Sequence, residues 1–322
     1  MQQVIREKAK ELLSSGKVNR VLAWQNGEFF YDQMPTVFTT AEEIEKSLVY
    51  NGFSAPNLSK YLVKESGKEG VIAVFLKPCD SYSFSQLVKE HRIQRENVWA
   101  VAIPCEGKFD IEAIRKLGIR GITAIEEKGD ELLVSTIYGN KTVAKKDALA
   151  ERCQNCKSRF APLFDEILGE NGEKQESARF DLVEKLEKMT SEERFAFWQK
   201  ELSRCIRCNA CRNVCPACTC EKCVFDNPQS GIESKAPASS FEEQNFHIIR
   251  AFHVAGRCTD CGECSRVCPQ SIPLHLLNRK FIKDINEFYG EYQAGADAEE
   301  KYPLMNFTQD DMEPSDAFKK GE

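Results

Sequence analysis

Fifteen cysteines in 322 residues constrain this chain more than any other feature. Eight of them form two runs of one pattern, Cys205-x-x-Cys208-x-x-Cys211-x-x-x-Cys215-Pro216 and Cys258-x-x-Cys261-x-x-Cys264-x-x-x-Cys268-Pro269. That spacing is the bacterial ferredoxin run for a [4Fe–4S] cubane. Three closely spaced thiolates wrap one face of a cubane within a short turn, and the fourth, on the following helix, reaches the other cluster. The expected ligand sets are Cys205, Cys208, Cys211 and Cys268 for cluster 1, and Cys258, Cys261, Cys264 and Cys215 for cluster 2. Pro216 and Pro269 redirect the chain after each last ligand. A pair of zinc knuckles competes with this reading, but zinc sites separate two cysteine pairs by a longer spacer. Two adjacent cubanes have no acid/base chemistry of their own; they pass single electrons.

Composition removes other classes. The chain is 42% hydrophobic and 29% charged, ordinary for a soluble globular protein. Its charge of −6 comes with no basic tract long enough to follow a phosphate backbone, so nucleic acid is not an expected partner. The longest apolar runs, Val71 to Leu76 and Val98 to Ile103, are six residues each against the roughly 20 of a membrane span. They read as buried strands. Met1 to Lys8 lacks the apolar core of a signal peptide, so the expected location is cytoplasmic, where reducing conditions keep thiols free for metals.

Residues 1–150 read as an α/β domain with a parallel-strand core and a β-meander. Strands over 71–76 and 97–103 alternate with helices over 81–91 and 110–117, the sign of parallel strands with helical crossovers. Cys79 and Cys105 follow the two strands, in turns at the sheet edge where α/β proteins bind ligands. Residues 121–145 alternate around Lys128-Gly129-Asp130 and Tyr138-Gly139-Asn140, predicting the meander. Residues 151–204 supply Cys153-x-x-Cys156 and a helical linker. In it Thr190 and Glu193 form a capping box, and Phe195, Trp198 and Leu202 share a face. Residues 205–290 read as an α-helical dicluster ferredoxin-type domain, and 291–322 as an acidic tail, mobile or docked on a partner.

Cys79, Cys105, Cys153 and Cys156 are expected to hold a third [4Fe–4S] cluster; buried structural thiols, or a zinc at Cys153 and Cys156, are the alternatives. Cys218, Cys220 and Cys223 either replace an assigned ligand or line a cluster and tune it. Asp80 and Glu106 read as solvated turn carboxylates, with contact to a flavin or a partner as the alternative. His247, His253 and His275 read as packing or hydrogen-bonding residues on helices beside the clusters, the alternative being iron ligation. There is no Gly-x-Gly-x-x-Gly or Walker pattern, so FAD has no support from motif.

Taken together, Lys77-Pro78-Cys79-Asp80, Pro104-Cys105, Cys153-x-x-Cys156 and Cys205 to Cys223, with its Cys-Pro-x-Cys-x-Cys extension, resemble one family. They are similar to the iron–sulfur beta subunits of anaerobic hydrogenases and formate dehydrogenases, including the deazaflavin-reducing and sulfhydrogenase-type beta subunits. The resemblance covers about residues 65–290. It implies a relay subunit of a multi-subunit anaerobic oxidoreductase. Its partners would be a catalytic hydrogenase, formate dehydrogenase or heterodisulfide-reductase-like module on one side and a flavoprotein subunit on the other. Some deazaflavin-reducing relatives bind flavin themselves through a Gly-Gly-containing helix start, where this chain has Tyr50-Asn51-Gly52-Phe53-Ser54-Ala55. Two further functions compete: a flavin-dependent reductase of a deazaflavin or nicotinamide cofactor, and thiol or disulfide chemistry at an open third cluster.

Overall fold

The structure, a computed structural model, describes residues 1–175, 178–227 and 240–299. The two apolar runs form the centre of a five-stranded sheet. β3 (Ile72–Leu76) is buried at every position and β4 (Val98–Ala102) at all but Trp99, as strands covered on both faces require. They pair in parallel from Ile72 opposite Val98 to Leu76 opposite Ala102. β1 (Arg20–Asn26) lies parallel to β3, β2 (Gln33–Phe38) folds back antiparallel on β1, and the short β8 (Glu166–Ile167) lies parallel to β4. The order is β2-β1-β3-β4-β8. β5 (Ile122–Lys128), β6 (Glu131–Thr136) and β7 (Gly139–Ala144) make the expected antiparallel meander as a separate three-stranded sheet.

Helices cover the larger sheet. α1 (Gln2–Ser14) contributes Ile5, Ala9 and Leu12, one stripe at helical spacing, to the core. α2 (Ala41–Ser47) starts at a capping box of Thr40 and Glu43, and α3 (Ser59–Glu65) leads toward β3. α4 (Pro78–Lys89) begins three residues before the expected 81, because Pro78 occupies the first helical turn, where its missing N–H costs nothing. Cys79 therefore sits within the first turn of α4 and not in a loop before it. α5 (Ile111–Lys116) is capped by the Asp110 side chain, which accepts from the Glu112 N–H at 2.9 Å.

Short α6 (Lys145–Ala148) and α7 (Glu151–Gln154) return the chain to the β3–β4 edge. The helical remainder comprises α8 (Asp181–Glu187), α9 (Ser191–Leu202), α10 (Ala210–Asn213), α11 (Ser240–His253), α12 (Glu263–Arg266) and α13 (Leu274–Tyr289). α9 has the expected Thr190/Glu193 box; Leu202 is buried and Trp198 half-buried, but Phe195 is exposed. Beyond α13 the chain goes on packing. Tyr292 and Ala294 are buried, Tyr292 Oη donates to the Gly256 carbonyl at 2.9 Å, and Gly295 lies so close to the Tyr82 backbone that no Cβ would fit. Within the stretch expected as an acidic tail, Tyr292 and Ala294 thus fill space against the body; residues 300–322 lie outside the described residues. Among the described residues no helix is long and apolar enough to cross a membrane.

Phe75, fully buried at the middle of β3, sets the scale of this core. Phe75→Ala lowers unfolding free energy by about 3–5 kcal/mol, read as a fall in the denaturation midpoint at unchanged slope.

Candidate iron–sulfur sites

The two cysteine runs adopt the same backbone. Arg207 and Asn209, two and four residues after Cys205, have φ of +52° and +60°; Asp260 and Gly262, at the same offsets from Cys258, have φ of +55° and +67°. Asn209 and Gly262 then open one-turn helices, α10 and α12, that carry Cys211 and Cys264. A left-handed φ is rare for Arg and Asp, and its use at matching places turns successive backbone N–H groups toward one concavity. Such nests suit an anionic iron–sulfur group. At Gly262 a Cβ would meet the Arg152 side chain at 2.6 to 2.9 Å, so glycine serves both the turn and the contact.

The cysteines converge in three groups. Cys205, Cys208, Cys211 and Cys268 line one cavity with Phe246 and His247. His247 Nε2 lies 3.3 Å from Cys205 Sγ, and the Arg207 N–H donates to the same sulfur at 3.4 Å. Cys215, remote in sequence from the second run, packs against Cys258, and its charge reaches Cys258, Cys261 and Cys264. Asn278 Nδ2 donates to Cys264 Sγ at 3.6 Å. Cys218 packs beside Cys215 and lowers its thiol to about 6 by hydrogen bonding, while Cys223 packs with the first group and Cys220 is exposed. Burial pushes Cys211 and Cys258 up to about 12 and raises Cys261 well above the ordinary thiol range. Buried thiols of this kind become thiolates only when a metal supplies the positive charge, as iron would here.

The third group carries the least expected geometry. Cys79 from α4, Cys105 after β4, Cys153 from α7 and Cys156 line one cavity at the carboxyl ends of β3 and β4. Its wall also contains Lys77, Lys108, Arg152, Lys157 and Arg159, and it includes Cys261 of the second run. Lys108 donates to the Asn51 carbonyl at 2.9 Å over the Tyr50 ring, Lys157 reaches the Thr259 carbonyl, and burial lowers both amines to about 8. Four thiols in a ring of cations fit a group with net negative charge. Among the described residues no three His, Cys, Asp or Glu side chains close on a single metal ion.

Asp80 corrects the expectation of a solvated turn carboxylate. It is fully buried, and its Oδ2 accepts from Lys77 Nζ at 2.8 Å and the Lys77 N–H at 3.3 Å. Burial pushes the carboxyl up and Lys77 opposes this. The early start of α4 puts the pair one turn apart, inside the protein. Glu106 is exposed. His275 Nδ1 pairs with Ser265 Oγ at 2.8 Å and its Nε2 with Glu151 at 2.5 Å, whereas His253 is exposed at the end of α11.

One buried carboxylate joins the two halves of the molecule. Glu263, 1% exposed, takes Arg152 Nη1 at 2.6 Å, Arg266 at 2.8 Å and the Asn57 N–H at 3.2 Å. Arg152 also donates to the Cys261 carbonyl at 2.8 Å and the Ala55 carbonyl at 3.2 Å. Burial alone would raise the Glu263 carboxyl, but Arg266 and Arg152 outweigh it and hold it at about 2. The sequence offered one signal for this pair, an arginine directly before Cys153. Glu263→Gln strands the Arg152 guanidinium, whose side chain is only 10% exposed, and costs about 3 kcal/mol of stability. The gap from wild type is full above about pH 4.5 and closes as the pH falls toward about 2, as denaturation at several pH values shows.

The chain is similar to known proteins over most of its length. Residues 201–272 match the 4Fe-4S dicluster domain family. The F420-dependent formate dehydrogenase subunit beta of Methanocaldococcus jannaschii is 27% identical over 89% of this chain and 90% of its own. The F420-dependent formate dehydrogenase 1 subunit beta of Methanococcus maripaludis is 26% identical over 90% and 89%. A solved structure, that of the F420-reducing [NiFe] hydrogenase complex from Methanosarcina barkeri, aligns with 51% of this chain and 65% of its own at 16% identity and a TM-score of 0.37. The chain is thus an iron–sulfur protein with a [4Fe–4S] dicluster domain, resembling along most of its length the beta subunits of F420-dependent formate dehydrogenases.

Proposed function

We propose that the chain is the electron-transfer iron–sulfur subunit of a multi-subunit oxidoreductase, with three [4Fe–4S] centres in line. The observation that carries this reading is the strand-end cavity, where four cysteines from separate elements meet and Cys261 of the second run forms part of the same wall. Cys205, Cys208, Cys211 and Cys268 would hold the first centre, Cys258, Cys261, Cys264 and Cys215 the second, and Cys79, Cys105, Cys153 and Cys156 the third. When bound, each cubane accepts and returns one electron. The protein supplies nests of N–H groups, sulfur hydrogen bonds from His247 and Asn278, and the cations around the third site, which set potential and exclude water.

The division of labour follows the chain. Residues 1–150 form the α/β domain with the strand-end site, 151–204 the Cys153/Cys156 element and helical linker, and 205–290 the dicluster domain, with Tyr292 and Ala294 packed against the body. A relay needs a donor and an acceptor, and similarity to formate dehydrogenase beta subunits favours a catalytic dehydrogenase subunit and a flavoprotein subunit as those partners. Thiolate-held clusters call for a reducing compartment, and the cytoplasm is the proposed location. The F420 dependence in the relatives' names favours a second reading, a flavin-bearing subunit that reduces the deazaflavin itself.

Iron, acid-labile sulfide and flavin per chain on anaerobically purified protein separate these readings. The relay predicts about twelve irons per chain, four for each cubane, and no flavin. One flavin per chain selects the reductase. Cys79→Ser removes one cluster signal from the EPR spectrum of the reduced protein and leaves two; three unchanged signals would refute the third site.

A further inference from the structure

α11 runs past both ferredoxin-type cysteine groups, and one of its faces touches each in turn. His247 on this face reaches Cys205 of the first group. Val254, the residue directly after the end of α11 and seven on from His247, packs against Cys215 and Cys258 of the second. Arg250 lies between them, three residues after His247 and four before Val254, the spacing of side chains on one helix face. It is 1% exposed, and Nε, Nη1 and Nη2 all lack a hydrogen-bond partner among the described residues. Arg279, also 1% exposed, is paired with Asp260 and Glu151, and Arg152, whose side chain is 10% exposed, with Glu263. A buried guanidinium without a partner is strongly unfavourable, so the site requires an anion that the polypeptide's carboxylates do not supply. The acidic groups whose charge reaches Arg250 are cysteines from both sets, Cys211 of the first and Cys264 and Cys215 of the second, together with Cys218.

We propose that Arg250 is the shared counter-charge of the two dicluster centres, raising the reduction potential of both from a position between them. The inference rests on the two ferredoxin-type ligand sets proposed above. Reduction of either centre takes one electron from a low-potential donor, with no bond made or broken and no proton moved, and adds one negative charge to a group already anionic. A fixed cation in a low-dielectric interior favours that added charge far more than a solvated one does. Because one guanidinium serves both centres, their potentials shift together.

The test is a dithionite-poised redox titration of the cluster-loaded full chain, followed by EPR. In Arg250→Met, one-electron reduction of both dicluster centres becomes at least about tenfold less favourable, a fall of about 59 mV each, while the third centre keeps its potential. Two unshifted potentials, or a shift confined to one centre, overturn the proposal. Arg250→Lys keeps the charge and answers the same question if the methionine variant does not load: potentials near wild type support the counter-charge, and falls as large as tenfold overturn it. Wild-type protein without two cubane signals would instead defeat the dicluster reading itself, before any variant is compared.

Discussion

A thiolate is an anion, and most of this molecule's layout follows from gathering cysteines, three of them buried, close to one another. Left to burial, those thiols resist ionisation, as Cys211, Cys258 and Cys261 show. The chain answers with positive charge and with oriented dipoles. Around the strand-end site the answer is side chains, with lysines and arginines on every side. In the dicluster region it is backbone, with left-handed residues aiming N–H groups inward, together with Arg250, a deeply buried cation without a hydrogen-bond partner among the described residues.

The same charges join the halves. Arg152 precedes Cys153 on α7, yet its guanidinium spans to Glu263 on α12 and to the Cys261 carbonyl. Arg279 on α13 closes a second bridge through Asp260 and Glu151. Both bridges start within two residues of a cysteine assigned to a cluster, so the elements that carry the thiols are also those that fix one half against the other. Stability and site geometry here are one network.

Much of this was legible in the sequence. Ile72–Leu76 and Val98–Ala102 declare themselves because a doubly covered strand is apolar at nearly every position. The meander and the Thr190 cap follow from turn and capping chemistry. The spacing of Cys205 to Cys215 and of Cys258 to Cys268 points to the 4Fe-4S dicluster family that residues 201–272 match, since such spacing is local geometry. What escaped depended on partners distant in sequence or on element boundaries. The hairpin β1–β2 has no counterpart among the expected elements, and the two-residue β8 is held beside β4 by Asp165, whose side chain accepts from the Ala100 N–H at 2.7 Å. The burial of Asp80 could not be read while α4 was expected to begin at 81. Arg250 was invisible for a similar reason: a charged residue on an amphipathic helix is assigned to solvent until its neighbours are known.

Cys261 forms a wall of the strand-end cavity while its carbonyl is held by Arg152 from the other half. Tunnelling falls off steeply with distance, so a hop across a junction that swings open and shut would be timed by that motion. Here the backbone of one donor loop is tied directly into the neighbouring chamber. In the relay proposed above, the gap between the second and third centres would be set by the Cys261 loop and the guanidinium that holds it.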